Sequence, residues 1–264
     1  MSRYDAEELM AAVLGKPLDG DSRRQELSGD QRRRYSSMVA RRVAGEPVAQ
    51  IVGAIWFRGL SLHVRRGVFG PRSSSELLAA EAIRALRRRR RGRVAVDVAT
   101  GSGPVALAVA HEVPDAEVWG VDISAEAVKL GRQNARRLHI DNVHFKVSDM
   151  LDALPSRMRD GVDVLTIHPP YVARREVRTL PREIREFEPI HSLTDGSDDG
   201  LGLVRRLAGD AHEWLRPGGV LLVEIGTYLS RSTQTALRKA GLSDVRWTKD
   251  SLGVTRVVSG RRSR

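Results

Sequence analysis

From Arg93 onward the chain repeats one pattern, a short and almost wholly apolar run followed by a longer stretch with helical spacing. The runs are RVAVDV (93–98), EVWGVD (117–122), NVHFKV (142–147), VDVLTI (162–167) and GVLLVEI (219–225). Strands that are apolar on both faces belong to a sheet covered on both sides. The intervening stretches, 124–138 and 200–215 among them, carry apolar residues three and four apart, as helices do. Such alternation predicts an α/β fold built on a parallel sheet. The final stretch, SDVRWTKDSLGVTRVVSG, breaks the pattern and predicts two strands close in sequence, an antiparallel edge pair.

The first 50 residues or so read differently. Leu9, Met10, Val13 and Leu14, then Met38, Val39 and Val43, stand at helical spacing around the loop KPLDGDSRRQELSGD (16–30), which predicts a small helical unit. In IVGAIWFRGLSLHV, Trp56-Phe57 and the alternating Leu60, Leu62 and Val64 flank Arg58-Gly59, which predicts a β-hairpin. A helix from Ser75 to about Leu86 then leads into the arginine run 87–91. The expected division is a helical unit over 1–50, a hairpin linker over 51–74 and an α/β domain over 75–264.

Composition narrows the function. A chain of 264 residues with 41% apolar residues buries one sizeable core and little more. The absence of cysteine excludes disulfides, thiolate nucleophiles and cysteine-rich zinc sites, and no metal site is expected. The segment MSRYDAEELMAAVLGK lacks the apolar run of a signal peptide, and no later stretch reaches membrane-spanning length, so a cytoplasmic protein with no membrane partner is expected. The net charge of +11 attracts polyanions. Yet only five of the 44 basic residues are lysine, and the run Arg87 to Arg91 has no interleaved aromatic residue on which bases could stack. That favours a solvated helix end over a nucleic-acid contact.

The segment VAVDVATGSGPVALAVA puts Asp97 near a strand end, then Gly101 and Gly103, then a helix opened by Pro104, where a missing N–H costs nothing. Glycines let the backbone turn tightly against a ligand, and a helix N-terminus offers free N–H groups. The loop alone fits dinucleotide cofactors as well. Asp97, four positions before Gly101, tips the balance, because it suits a cofactor carrying an ammonium group, which a nicotinamide dinucleotide lacks. Asp122 closes the second strand, placed to accept both ribose hydroxyls of an adenosine. Asp149, after the third strand, is either a helix N-cap or a partner for the adenine amino group.

The most informative segment is VDVLTIHPPYV. A buried strand ends in His168-Pro169-Pro170-Tyr171, and two successive prolines hold the backbone extended while removing two donors. What remains at the strand end is a pair of acceptors, the carbonyls of His168 and Pro169, beside the aromatic ring of Tyr171. Such a wall can grip the N–H groups of an amide or amine, and the ring can pack on a planar acceptor and on a departing cation.

This segment resembles the Asn-Pro-Pro-Tyr signature of amino-group methyltransferases, with His168 in the Asn place. Together with RRVAGEPVAQIVG (41–53), WFRGLSLHV, GVFGPR (67–72), FEP (187–189), DGSDDGLGLVRRL and LRPGGVLLVEIG (215–226), it is similar to the HemK/PrmC family from about residue 35 to the end. The resemblance implies a Rossmann-like class I methyltransferase with a seven-stranded sheet and a small N-terminal domain that helps recognise the acceptor. It also implies S-adenosylmethionine as cofactor, S-adenosylhomocysteine as product, and a glutamine side chain of a peptide-chain release factor as acceptor. The cofactor contacts it implies are Asp97, Ala99, Thr100, Gly101 and Gly103 in the first loop, Asp122 and Ile123 in the second, Asp149 and Met150 in the third, and His168. His168, Pro169, Pro170 and Tyr171 would form the catalytic wall. Three positions depart from the pattern: Ala99 for the loop's first glycine, Ser73-Ser74-Ser75 for a proline- and acid-containing stretch, and His168 itself. An imidazole offers one ring acceptor where an amide oxygen is usual, so a small-molecule acceptor with His168 as base stands as the alternative to a protein nitrogen. A non-catalytic cofactor-binding protein acting on ribosomes or RNA is a weaker third reading. His191 is expected near the mouth of the site as a loop residue, Glu224 at a strand end as a cap or hydrogen-bond partner, and Arg72 as either a functional cation or a surface arginine.

Overall fold

The computed structural model describes residues 1–18, 26–89 and 92–264. Part of the expected 16–30 loop, and Arg90 and Arg91 of the arginine run, therefore lie outside the described residues.

Helices α1 (Arg3–Leu14), α2 (Gly29–Val43) and α3 (Val48–Val52) pack around Leu9, Val13, Met38 and Ile51. Capping boxes start the first two: Ser2 and Ser28 each accept from the backbone three residues on, and Asp5 and Gln31 return the bond. The Ser28 cap begins α2 at Gly29, so the loop expected to run to residue 30 ends earlier. Strands β1 (Ala54–Phe57) and β2 (Leu60–His63) form the hairpin, turned by Arg58 and Gly59 at φ 46° and 78°.

The main sheet comprises β3 (Arg93–Val98), β4 (Ala116–Asp122), β5 (Val143–Val147), β6 (Val162–Ile167), β7 (Leu215–Glu224), β8 (Ser243–Lys249) and β9 (Thr255–Arg261), in the order β5-β4-β3-β6-β7-β9-β8. The first five are parallel, and β9 runs antiparallel to both its neighbours. The last two strands pair antiparallel at one edge of the sheet, as expected, with β8 outermost. β9 lies between β7 and β8 because Val257 and Val258 are fully buried, one on each face, whereas β8 has no buried residue. β7 also starts at Leu215 rather than 219, pairing with Val162 through a register shift that absorbs Pro217-Gly218.

Helices α4 (Ser75–Arg87), α5 (Pro104–Glu112) and α6 (Ala125–Arg137) cover one face of the sheet, and α8 (Gly202–Trp214) and α9 (Ser230–Lys239) cover the other. Burying each of Leu78, Leu86, Leu207 and Leu221, all fully enclosed, contributes about 1.5–3 kcal/mol. The hairpin is stapled to α6 by the buried Asn134, which accepts from the His63 N–H at 2.8 Å and donates to the His63 carbonyl at 3.1 Å. Short helix α7 (Arg182–Phe187) docks on the N-terminal helices, with Gln50 donating to the Phe187 carbonyl at 3.3 Å and Arg42 3.4 Å from Glu183. Arg87 and Arg89 of the arginine run are ion-paired with Glu112 and the buried Asp163. No helix among the described residues is long and apolar enough to cross a membrane.

Chain connections leave the central strands in opposite directions, from β3 toward β4 and from β6 toward β7. That reversal opens a crevice at the strands' C-terminal edge.

Candidate active site

A cavity of about 320 Å³ occupies this crevice, within the range of small-molecule sites. Its walls come from the loops after β3, β4, β5 and β6, and its roof from 67–75 and 191–195.

The loop after β3 is shaped for close approach. Ala99 sits at φ 53°, and Gly101 and Gly103 at 58° and 86°. At Gly103 a side chain is excluded twice, by that backbone angle and by the Phe145 ring, 2.5 Å from where a Cβ would stand. Asp122 stabilises the turn, accepting the Gly101 N–H at 2.8 Å through one oxygen and the Ser124 N–H at 2.9 Å through the other. Each oxygen keeps a lone pair for a ligand. Burial pushes the Asp122 carboxyl up from its usual range.

Asp97 is 4% exposed and accepts from Thr100 Oγ1 at 2.6 Å and Thr166 Oγ1 at 2.7 Å. Burial outweighs these two hydroxyls and raises its carboxyl to about 6. A buried carboxyl poised this way gains by meeting a cation. Asp149 lines the cavity, but no helix follows it to be capped; a turn does. Its carboxylate pairs with Arg206 of α8 at 2.7 Å. Ile123, 65% exposed, and Met150, held at φ 50°, flank the same end of the cavity. All the cofactor residues expected from sequence except Gly103 line this one space. Gly103 stands directly behind, at the N-cap of α5.

The opposite wall is the turn after β6. His168, Pro169 and Pro170 line the cavity, and Tyr171 does not. The Tyr171 ring instead stacks on His168 with centroids 5.7 Å apart, and Phe69 meets the imidazole edge-on at 5.6 Å. The Pro170 carbonyl is taken by the Asp195 N–H, while among the described residues no loop N–H bonds to the carbonyls of His168 or Pro169. Burial, helped by Arg72, holds the imidazole below its ordinary pKa against the pull of Glu224, so the ring is neutral at neutral pH.

The contacts of several residues named from sequence escaped sequence reasoning. Arg72 lies 4.3 Å over the Phe69 ring and pairs with the buried Glu188 at 3.0 Å, while Gly70 N–H also bonds Glu188. That knot fastens the roof to the segment after α7. Ser74 and Ser75 reach Glu224 and His168. Their only trace in the sequence is that Ser73-Ser74-Ser75 and His168 are unusual together. His191 lines the cavity from a single turn of 3-10 helix, Ile190–Ser192.

Comparison with known proteins agrees with this geometry. A model of the methyltransferase domain matches residues 90–240, and one of the PrmC N-terminal domain matches residues 1–53. The release factor glutamine methyltransferase of Burkholderia pseudomallei is 36% identical over 269 residues, covering 99% of this chain and 92% of its own. That of Streptomyces coelicolor is 40% identical over 228 residues, covering 84% and 77%. Among solved structures, a methyltransferase from Pyrococcus furiosus matches with a TM-score of 0.53 at 19% identity, over 87% of this chain and 100% of that one, which bears on the fold alone.

Proposed function

This chain belongs to the release factor glutamine methyltransferase family, and on that footing we propose that it transfers a methyl group from S-adenosylmethionine to a glutamine side-chain amide of a peptide-chain release factor. The observation that carries the reading is the single cavity bounded on one side by the glycine loop and Asp122 and on the other by His168-Pro169-Pro170. A methyl donor and a planar amide then meet in one crevice. We assign residues 1–50 to acceptor recognition, 51–74 to the linker that roofs the site, and 75–264 to catalysis.

The donor set fits the cofactor. Asp97 suits its ammonium group, directly or through water. Asp122 suits the ribose hydroxyls, and Ile123, Asp149 and Met150 would border the adenine. Ala99, Thr100, Gly101 and Gly103 supply the close backbone approach. When bound, the cofactor supplies a methyl group on cationic sulfur, which departs as the neutral thioether of S-adenosylhomocysteine. The protein's task is alignment and proton handling. An amide nitrogen is a poor nucleophile because its lone pair is delocalised. His168 Nε2 and the Pro169 carbonyl hold its two N–H groups, which turns the lone pair toward the donor side of the cavity. His168 then takes the proton that the methylated nitrogen must lose. Tyr171 supports the imidazole from behind.

The decisive experiment incubates the protein with methyl-labelled S-adenosylmethionine and a purified release factor, then maps the product by mass spectrometry. One added methyl on a glutamine side chain is expected. Label appearing only in small molecules or nucleic acid, or none despite cofactor binding, would sink the reading.

Asp97 gives a second test. Its carboxyl titrates at about 6 in the free protein, and a bound cation favours the charged form. Affinity for S-adenosylhomocysteine, measured by calorimetry, should therefore tighten as pH rises from 5 to 7. Asp97→Asn should bind about 10–10²-fold more weakly at pH 7, because a hydrogen bond to a charged partner is lost, and the pH dependence should flatten. A variant that keeps the wild-type slope would remove Asp97 from the ammonium site.

A further inference from the structure

Strands β6 and β7 are neighbours in parallel register, with Ile167 opposite Val223. The residues that follow, His168 and Glu224, thus emerge side by side at the same sheet edge. Glu224 is 2% exposed. Its Oε1 accepts from Ser74 Oγ at 2.7 Å, whereas Oε2 has no hydrogen bond and lies 3.4 Å from His168 Nδ1. A carboxylate oxygen left without a donor in a dry interior is costly, and a proton on the adjacent Nδ1 would place a positive dipole beside it.

The two imidazole tautomers differ sharply in this setting. With the proton on Nδ1, the ring donates to Ser75 Oγ at 3.2 Å and turns the positive end of its N–H dipole toward Glu224 Oε2, 3.4 Å away. With the proton on Nε2, Ser75 donates to Nδ1 and the buried Oε2 faces a lone pair with nothing to offset it. Nε2 itself has no hydrogen-bond partner among the described residues, and His168 keeps 17% of its side chain exposed, on a residue that lines the cavity.

We infer that Glu224, with Ser75, is a positioning residue that holds His168 in the Nδ1–H tautomer, so that Nε2 presents its lone pair to the acceptor nitrogen. The inference rests on the reading of His168 given under Proposed function. It gives two of the three departures from the family pattern one cause: the serines at 74 and 75 form, with Glu224, a polar cradle for the imidazole. The charged and titratable groups around the ring are Glu224, Arg72 from the roof and the stacked Tyr171. Glu224 pulls the imidazole toward protonation and Arg72 pushes it away.

Nitrogen-15 NMR of histidine-labelled full-length protein reads the tautomer directly, with the His168 signals assigned by their loss in His168→Asn. Nδ1 protonated and Nε2 bare at pH 7.5 is the expected result; the reverse overturns the inference. Glu224→Gln removes the charge while nearly keeping the shape. The acid limb of kcat should then move down by about one pH unit, with kcat at pH 7.5 reduced about ten-fold and S-adenosylhomocysteine affinity unchanged. An unmoved limb together with an unmoved tautomer also overturns it. Should the buried substitution prevent folding, the wild-type spectrum still decides. If the wild type methylates no release factor, the proposed acceptor fails while the tautomer measurement stands on its own.

Discussion

Replacing His168 by alanine is expected to lower kcat for release-factor methylation about 10²–10³-fold while leaving cofactor affinity near its wild-type value. The magnitude is that of a positioned proton acceptor. The split follows because the residues proposed to hold the cofactor lie chiefly on the glycine-loop side, while His168 stands on the opposite wall. The pH profile separates this role from simple space filling. In the proposed mechanism neutral imidazole is the working form, and burial holds its pKa below the ordinary value. Activity at saturating cofactor, where the Asp97 titration drops out, should therefore be flat through neutral pH and fall only below the usual imidazole range. His168→Asn restores an acceptor that does not titrate. It should recover part of the alanine loss and abolish the acid limb. An asparagine variant that keeps the limb, or an alanine variant within a few-fold of wild type, would place the proton acceptor elsewhere.

What the sequence reveals here is what local patterning encodes. The apolar runs predict β3, β4, β5, β6 and most of β7 because a strand buried on both faces has nowhere to put a polar residue. The glycine loop and the Pro169-Pro170 turn are legible because their backbone chemistry admits few alternatives. Contacts between distant segments are not encoded in that way. Nothing near Glu224 announces that His168, 3.4 Å away in space, is its partner; the pairing comes from the register of β6 on β7. The insertion of β9 between β7 and β8 likewise depends on which face Val257 and Val258 can bury. Tyr171 shows the same limit, since its ring was expected in the cavity and instead turns to stack on His168. Alternation along a strand assigns faces, but the residue after a double proline has left the strand and its alternation.

The segment that clamps this turn offers the second large effect. Asp195 N–H bonds the Pro170 carbonyl, Val172 N–H bonds the Leu193 carbonyl, and Arg174 N–H bonds the Ser197 carbonyl. Gly200 closes the clamp at φ 70°, where an added Cβ would stand 1.9 Å from the Tyr171 carbonyl oxygen. The obstacle is backbone, so no rotamer relieves it. Gly200→Ala is expected to cost about 2–5 kcal/mol, the sum of left-handed strain and overpacking, as read by urea denaturation of the free protein. Gly196 in the same segment is the control. At φ 79° it carries comparable backbone strain, but nothing lies within 4 Å of its Cβ position, so Gly196→Ala should cost only about 1–2 kcal/mol. If the two variants lose stability equally, the contact with Tyr171 is not what demands glycine. The Gly200 variant carries a further signature, because the only escape from the clash is to move the segment away from residues 170–172. Methyl transfer should then fall even where the variant is fully folded, whereas affinity for S-adenosylhomocysteine, assigned under Proposed function to Asp97, Gly101 and Asp122 across the cavity, should change little.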